Sequence, residues 1–476
     1  MMPLVLYGRS RLFDTDPSSP IRHVARKIGP LGQWRRNEIQ SVESVEEQLM
    51  KVLVIGATGF IGSEVATCLV RHGHQVVGLA RHRSRSPKVA GWLILDVASA
   101  RHPEDWLPHL GDIDVVINCA GVLQDSGRED TEGVHSAGVG ALFAACQQIG
   151  VRRVIHFSAI GVDRAQPSRF SATKFAGDRQ LMARDLEWVI LRPSVVLGRP
   201  AFGASALFRA LASLPVVPLM PDTQALQVVQ LSDVLATIAF FLMPSAPSRL
   251  ELELAGPDRL TMGEIIAQYR DWYGWPPART FTIPPWAARV LYRLADLAGA
   301  LGWRPPMRTN AALEIARGAI GSPDQWTTVT GIRPKSLRLA LATEPPTIQE
   351  KWFARLYLVK VIIFPVLALF WVGTGLVSLT LGYGRGVELM RSTGAGALSG
   401  PAVILGALAD LAVGIAIAYR PLTRYGLYGA LILSVFYVLA SSILRPDLWI
   451  EPLGPLLKIA PIFVLHLIAL AILDER

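Results

Sequence analysis

Cysteine is scarce in this chain of 476 residues, which contains only Cys68, Cys119 and Cys146. None of the three belongs to a Cys-x-x-Cys pair or has the spacing of a zinc site, so the sequence predicts no metal centre and no disulfide framework. Each cysteine is surrounded by apolar residues. This pattern indicates buried thiols in a reducing cytosol.

The sequence also lacks a basic run interleaved with aromatic residues. Its formal net charge is +9, but the 47 Lys and Arg residues are scattered along the chain. We therefore expect no nucleic-acid partner. A modest attraction to an anionic membrane surface remains compatible with this composition.

Residues 1–49 lack both a sustained hydrophobic period and the apolar segment of a secretory signal. They contain scattered Arg, Pro and Ser residues, and their acidic residues argue against an organellar targeting sequence. We interpret this segment as a disordered tail or a gene-model extension, with Met50 as the natural start.

The segment that begins at Met50 reads MKVLVIGATGFIG and carries a glycine-rich turn. Residues 51–55 predict a buried parallel strand, and residues 63–72 predict a helix directly after the turn. The three glycines would permit the turn, the approach of a pyrophosphate and close packing of the helix on the strand, while the helix N-terminus attracts phosphate. The alternative is a structural turn that binds no nucleotide. The predicted cofactor contacts here are Gly56, Thr58, Gly59, Phe60, Ile61 and Gly62.

Strand and helix patterns alternate regularly after this turn. Further strands are predicted at 75–80, 92–96, 114–118, 154–158 and 188–191. This alternation predicts an α/β fold with a Rossmann-type, doubly wound parallel sheet. Residues 199–345 are less regular and rich in proline breaks, so we expect a small substrate subdomain there, within an NAD(P)-binding domain that covers 50–345.

Side chains at the strand ends indicate which dinucleotide binds. Arg81 follows the second strand, where an acidic residue would select NAD and a basic residue would accommodate the 2′-phosphate of NADP. The sequence thus favours NADP(H) over NAD(H). Asp96, followed by Val97, suits the adenine amino group, although it could equally be a strand-end cap. The turn after the fourth strand should line the pyrophosphate and ribose through Cys119, Ala120 and Gly121.

These features resemble the short-chain dehydrogenase/reductase superfamily over roughly residues 50–260. The resemblance rests on the run 58–62, the turn 118–121, Ser158, Lys174 and the pair Arg192-Pro193. Within the superfamily, the chain is similar to the atypical group that includes the NDUFA-nine-like subunits of complex I. The resemblance implies catalytic roles for Ser158 and Lys174, which would also contact the cofactor, and a cofactor contact for Pro193.

The chain departs from the family's Tyr-x-x-x-Lys pair, because Phe170 occupies the tyrosine position. No tyrosine occurs between Met50 and Gly256. Phenylalanine has no proton to transfer, so the usual reductase mechanism is not available. A sugar-nucleotide epimerase would share the fold but need the same tyrosine, and is disfavoured for that reason.

Two interpretations of Lys174 remain. It could itself act as the acid and base if burial lowers its pKa, with Ser158 polarising the substrate oxygen. It could instead only hold the nicotinamide ribose, so that the domain binds NADPH without turnover. Thr173 and His156 are further candidates for the missing acid, although His156 lies inside a predicted strand.

Hydrophobicity rises after about residue 356. Four apolar runs of spanning length follow, at 356–381, 401–419, 425–444 and 456–473. They predict an all-α, four-span transmembrane bundle over residues 346–476, which resembles the DoxX-like family. We expect a multi-pass protein of the cytoplasmic (inner) membrane with its Rossmann domain on the cytoplasmic side. A slight excess of basic residues on the inner flanks agrees with this orientation.

Two ionisable residues lie near the middle of predicted spans, Asp410 in the second and His466 in the fourth. Such residues are costly in hydrocarbon unless they are paired or face a polar cavity. We hypothesise that they face one another and form a proton or quinone-headgroup site. The alternative is a structural hydrogen bond between helices.

Together these patterns predict a membrane-anchored, NADP(H)-binding oxidoreductase of the atypical short-chain type. Its substrate would be lipophilic, for example a quinone, an isoprenoid or a lipid carbonyl. The alternative is a non-catalytic NADPH-binding subunit for sensing or assembly in a membrane redox complex.

Overall fold

The computed structural model describes residues 49–82, 84, 86–125, 130–164, 167–305, 307–452 and 454–473. Residues from Met50 onward form one compact unit. The prediction for the N-terminal extension concerns residues outside the described part of the chain, apart from Leu49.

The centre of the protein is a seven-stranded parallel sheet with the order β10-β6-β5-β4-β1-β2-β3. This confirms the predicted Rossmann-type doubly wound fold, and the strand order reverses between β1 and β4. The edge strand β10 was not predicted. The strands are β1 Lys51–Ile55, β2 Gln75–Ala80, β3 Gly91–Ile94, β4 Val115–Asn118, β5 Arg153–Phe157, β6 Glu187–Pro193, β7 Val196–Leu197, β8 Val216–Leu219, β9 Val229–Gln230, β10 Leu250–Leu254 and β11 Arg279–Thr282.

Helices cover both faces of the sheet, and the sequence of β1 shows why both faces have to be covered. Val52 and Val54 point into one buried cluster, whereas Leu53 and Ile55 point into the other. A strand buried on both faces reads as a continuous apolar run, as this one does. The helices from this part of the chain are α1 Phe60–Arg71, α2 Gly138–Ile149, α3 Arg169–Met182, α4 Ala204–Ala212 and α5 Leu231–Leu242.

The less regular region forms a smaller lobe with its own core, which includes Phe208, Ile265 and Tyr269. Two short parallel pairs, β8 with β11 and β7 with β9, contribute to it. The helices from this part of the chain are α6 Met262–Trp272, α7 Pro285–Ala300, α8 Thr309–Arg317, α9 Asp324–Thr330 and α10 Leu337–Thr343. Trp326 of α9 packs into the core of the sheet domain rather than of the smaller lobe.

The C-terminal region is helical. Within the described residues, three helices are long and apolar enough to cross a membrane, and they correspond to the first three predicted spans. The helix in the fourth predicted span has 14 residues, which is about 21 Å and less than a hydrocarbon core of about 30 Å. The four-span arrangement therefore stays a prediction. The helices are α11 Ile348–Leu379, α12 Tyr383–Ser392, α13 Ser399–Ala418, α14 Thr423–Leu444 and α15 Ile459–Ile472.

Helix α11 joins the two regions without a break. It begins with a capping box between Thr347 and Glu350, and Ala354 packs into the core of the smaller lobe. Further along the same helix, Phe364 and Trp371 pack into the core of the membrane bundle. One helix is thus shared by the two cores.

Candidate functional site

The glycine-rich turn follows β1 and fits a dinucleotide pyrophosphate. Gly56 has a φ of +73°, which favours glycine. A Cβ at Gly62 would lie 2.3 Å from the carbonyl oxygen of Gly56, so only glycine allows α1 to start this close to the strand. Gly59 is the N-cap and provides no side-chain cap. The first backbone N–H groups of α1 are thereby available to a phosphate.

The turn after β4 lies against the glycine-rich turn. A Cβ at Gly56 would lie 3.1 Å from the backbone of Cys119 and Ala120. Asn118 fixes this second turn, because its Oδ1 accepts a hydrogen bond from the Ala120 N–H at 3.1 Å. The structure therefore brings the two predicted pyrophosphate-binding turns together at the carboxyl edge of the sheet, where the strand order reverses.

Lys174 on α3 reaches the same edge and is buried. Its Nζ donates to the carbonyl oxygens of Phe157 at 2.7 Å and Ala120 at 3.2 Å. Burial lowers its pKa to about 8, against a partial opposing effect from the charge of Asp178. An ammonium has three N–H donors. The two hydrogen bonds to described residues leave one donor for a ligand.

Ser158, directly after β5, lies beside a buried ion pair. Its hydroxyl donates to Asp178 Oδ2 at 2.8 Å, and Arg192 donates to the same oxygen from Nη2 at 3.1 Å. Burial opposes ionisation of Asp178, but His156, Ser158 and the charge of Arg192 together hold its pKa below the usual value. To polarise a substrate oxygen, the Ser158 hydroxyl would have to give up its hydrogen bond to Asp178 and donate to the substrate instead.

Sequence reasoning missed Asp178, although a signal existed. It follows Lys174 by four residues, so both side chains lie on the same face of α3. His135 was also missed. It comes from a π-helical turn, Gly133–Ala137, which precedes α2.

Phe170 occupies the position of the family tyrosine and meets His135 edge-on, with ring centroids 5.4 Å apart. His135 Nε2 accepts from the Val122 N–H at 3.0 Å, so Nδ1 carries the proton and donates to Thr173 Oγ1 at 3.0 Å. Burial and then the charge of Lys174 lower the pKa of His135 to about 2. This imidazole is neutral at physiological pH and cannot replace the tyrosine as an acid.

The other two candidates for the missing acid, Thr173 and His156, are also held by contacts within the protein. Thr173 donates its hydroxyl to the Phe170 carbonyl at 3.1 Å. His156 is fully buried between Asn118 and Asp178, and burial lowers its pKa. Of these candidates, Lys174 remains, with a pKa that burial lowers to about 8.

The remaining predicted cofactor residues follow other strands at the same edge of the sheet. Arg81 is exposed directly after β2. Asp96 Oδ1 accepts from the Ala98 N–H at 3.2 Å and so caps its own turn; Val97 beside it is buried. Pro193 is the buried last residue of β6. Because the carboxyl ends of parallel strands share one edge, these residues lie along the same edge of the sheet as the glycine-rich turn.

The two ionisable residues of the membrane bundle each have a hydrogen-bond partner of their own, and the hypothesis that they form one proton or quinone-headgroup site stays a prediction. Asp410 accepts from the hydroxyl of Tyr437 at 2.8 Å. His466 Nε2 accepts from the indole N–H of Trp371 at 2.9 Å. An aromatic donor on a neighbouring helix satisfies each residue, and no hydrogen bond between described atoms joins the two.

The fold and the site define a class: an α/β protein that binds a nicotinamide dinucleotide and carries a C-terminal bundle of apolar, membrane-type helices. Residues 56–209 match the family described as NAD(P)H-binding. Residues 368–467 match the DoxX-like family. The chain therefore combines an NAD(P)H-binding domain with a DoxX-like membrane domain, which confirms the predicted resemblance.

Curated relatives match part of the chain at low identity. An uncharacterized protein of Mycobacterium tuberculosis is 28% identical over 219 residues, which are 46% of this chain and 23% of that protein. The chain thus spans about a quarter of that relative's length. The ceramide reductase of Caulobacter vibrioides is 26% identical over 45% of this chain and 68% of its own length.

Two further relatives are similar at comparable levels. Subunit 9 of the NADH dehydrogenase [ubiquinone] 1 alpha subcomplex from Rattus norvegicus is 27% identical over 38% of this chain and 48% of its own length. Sterol demethylase protein B of Methylococcus capsulatus is 23% identical over 63% of this chain and 99% of its own length.

Proposed function

We propose that this protein is a membrane-anchored, NADP(H)-dependent oxidoreductase of the atypical short-chain type that reduces a carbonyl of a lipophilic substrate. Lys174 would act in place of the family tyrosine. The observation that carries the proposal is this buried lysine, whose ammonium is fixed by two backbone carbonyls at the cofactor edge.

The chemistry needs a hydride at the carbonyl carbon and a proton at the carbonyl oxygen. A bound reduced nicotinamide would supply the hydride. This chain would supply the proton from Lys174 Nζ, through the N–H that is not used by Ala120 or Phe157. With a pKa of about 8, the Lys174 side chain is mostly protonated at pH 7, and its ammonium is a stronger acid than that of an ordinary lysine.

A lipophilic substrate is supported by the membrane domain and by two relatives. The names of those relatives refer to a ceramide and a sterol, both of which are membrane lipids. A quinone, an isoprenoid or another lipid carbonyl would equally be concentrated in the bilayer next to the site. We place the protein in the inner membrane with its cofactor domain on the cytoplasmic side.

The proposal is tested by NADPH oxidation in nanodiscs, against a panel of quinones and lipid carbonyls. We expect turnover that Lys174→Met abolishes while NADPH still binds, because methionine has a similar length but no proton to donate. Arg179→Met, a change on the exposed side of the same helix, is the matched control. Turnover that survives Lys174→Met would exclude lysine as the acid.

The choice of NADP(H) over NAD(H) depends on Arg81. This residue directly follows β2, where the 2′ position of the adenine ribose is recognised in this fold. Arg81→Glu should weaken NADPH binding at least tenfold while leaving NADH binding similar or stronger. Equal loss of both affinities would argue against recognition of the 2′-phosphate.

The second candidate function is a non-catalytic NADPH-binding subunit of a membrane redox complex. Phe170 favours it, because the side chain at the usual acid position carries no proton. The variant Phe170→Tyr separates the two functions, since it places a phenol four residues before Lys174. A protein that binds NADPH but reduces nothing, with or without this phenol, would support the sensing or assembly role.

A further inference from the structure

Helix α7 carries an apolar stripe that the protein leaves uncovered. Trp286, Val290, Leu294, Leu297 and Leu301 are 66%, 49%, 56%, 60% and 36% exposed. Their spacing of four, four, three and four residues places them on one side of the helix. The opposite side faces the protein, where Ala288 and Gly299 are buried. One side of α7 therefore packs on the protein, and the apolar stripe on the other side is exposed for contact with something else.

The C-terminal end of α7 is fixed to the membrane bundle. Trp303, three residues beyond the helix, packs against Phe364 of α11 with ring centroids 4.7 Å apart and the ring planes tilted by 44°. Its indole N–H donates to the carbonyl of Ala418, the last residue of α13, at 2.8 Å. Arg420 lies in the connection from α13 to α14, and its backbone N–H donates to the carbonyl oxygen of Leu301 at 3.0 Å. The apolar stripe therefore ends at one end of the membrane bundle.

The charges on α7 match a membrane surface. Arg289 and Arg293 are exposed, and helical geometry places both at one margin of the apolar stripe. An apolar stripe with basic residues at its margin is the pattern of a helix that lies in the membrane interface, with its cations at the phosphates. The exposed indole of Trp286 at the other end of the helix suits the same layer.

We propose that α7 lies in the plane of the bilayer interface, with this stripe among the acyl chains next to the bundle. The occupant of the apolar surface is lipid, since the surface continues from helices that already span the bilayer. The inner side of α7 is tied to the cofactor site, because Asp296 accepts a hydrogen bond at 3.1 Å from Gln124, which follows the turn after β4. This inference does not depend on catalytic turnover.

The test places an environment-sensitive fluorescent amino acid at position 294 of the full chain, one molecule per nanodisc. Lipids brominated near the carbonyl end of the acyl chain should quench it strongly, and aqueous iodide should not. The matched control is the same probe at Ile149, which is 40% exposed at the end of α2 and should show the reverse. A probe at 297 gives a second reading if the variant at 294 does not fold.

Each other outcome would overturn the proposal. Iodide quenching at 294 as strong as at 149 would mean that the stripe faces water. Protection from both quenchers would mean that protein covers it, and recovery of iodide quenching on dilution of a detergent-solubilised sample would identify a second copy as that cover.

Discussion

Replacing Gly62 with alanine should weaken dinucleotide binding by about tenfold to a hundredfold while the protein stays folded. The new Cβ would lie 2.3 Å from the Gly56 carbonyl oxygen and 2.9 Å from its carbon. An ordinary carbon–oxygen contact is about 3.3 Å, so the two backbones must separate by about 1 Å. The glycine-rich turn would then open at the position of the pyrophosphate.

Gly56 has little room to retreat. Its N–H donates to Leu79 at 3.1 Å, and its carbonyl accepts from Gly59 at 2.8 Å. The turn after β4 lies directly behind it. We expect the loss of the bond to Gly59, a net cost of about 1 kcal/mol, and a similar loss from displaced phosphate contacts. Together these amount to about 2 kcal/mol of binding free energy, which lies within the roughly 1.4–2.7 kcal/mol that corresponds to a tenfold to hundredfold loss of affinity.

The assay is calorimetric titration of NADPH into the purified protein, with the melting temperature recorded in parallel. Gly91→Ala is the matched control, since Gly91 begins β3 of the same sheet and no heavy atom lies within 4 Å of its added Cβ. If Gly62→Ala binds NADPH within twofold of this control, the close contact does not shape the phosphate site and the reasoning is refuted.

Three further predictions concern stability, measured by thermal unfolding. Because the pKa of Lys174 is about 8 in the folded protein and 10.5 otherwise, folding is penalised by about 3 kcal/mol below pH 8. The penalty fades as pH rises to 10.5, so the melting temperature should gain from this group over that window, and Lys174→Met should remove the gain. Asp178→Asn should cost about 3 kcal/mol, because it leaves the buried Arg192 with one carboxylate fewer. Glu251→Gln, at a half-exposed partner of the same arginine, should cost less, about 1 kcal/mol. Tyr437→Phe should lower stability by about 1 kcal/mol through the lost bond to Asp410, and the exposed Tyr428→Phe should not; equal effects would contradict it.

The sheet was predictable because its strands are buried on both faces. Continuous apolar runs such as 51–55 are visible without any knowledge of tertiary contacts, and glycine spacing located the cofactor turn. The strand β10, Leu250–Leu254, escaped prediction because it lies at the sheet edge and alternates leucine with glutamate. Its place became clear only from pairing with β6.

The centre of the site was less predictable, because it depends on distant residues. In the sequence, Asp178 looks like an ordinary carboxylate on a helix. In the structure it is buried beside Arg192 of β6, whose positive charge compensates its negative charge. The partners of Asp410 and His466 depend on how the membrane helices rotate against one another. Hydropathy shows that a helix is apolar, but it contains no information about that rotation.

The continuous helix α11 links the cofactor domain directly to the membrane bundle. Its 32 residues span about 48 Å, whereas the hydrocarbon core accounts for about 30 Å. About 18 Å of helix therefore extends beyond the core, and its early turns pack on the smaller lobe through Ala354. Pro365 lies within the helix, where proline removes one backbone hydrogen bond and favours a bend, so continuity alone does not make the helix a rigid rod. If the protein acts on a membrane-anchored molecule, as we propose, that molecule has to carry its reacting group to the height of the cofactor site, and the length of its polar part becomes a basis for selection.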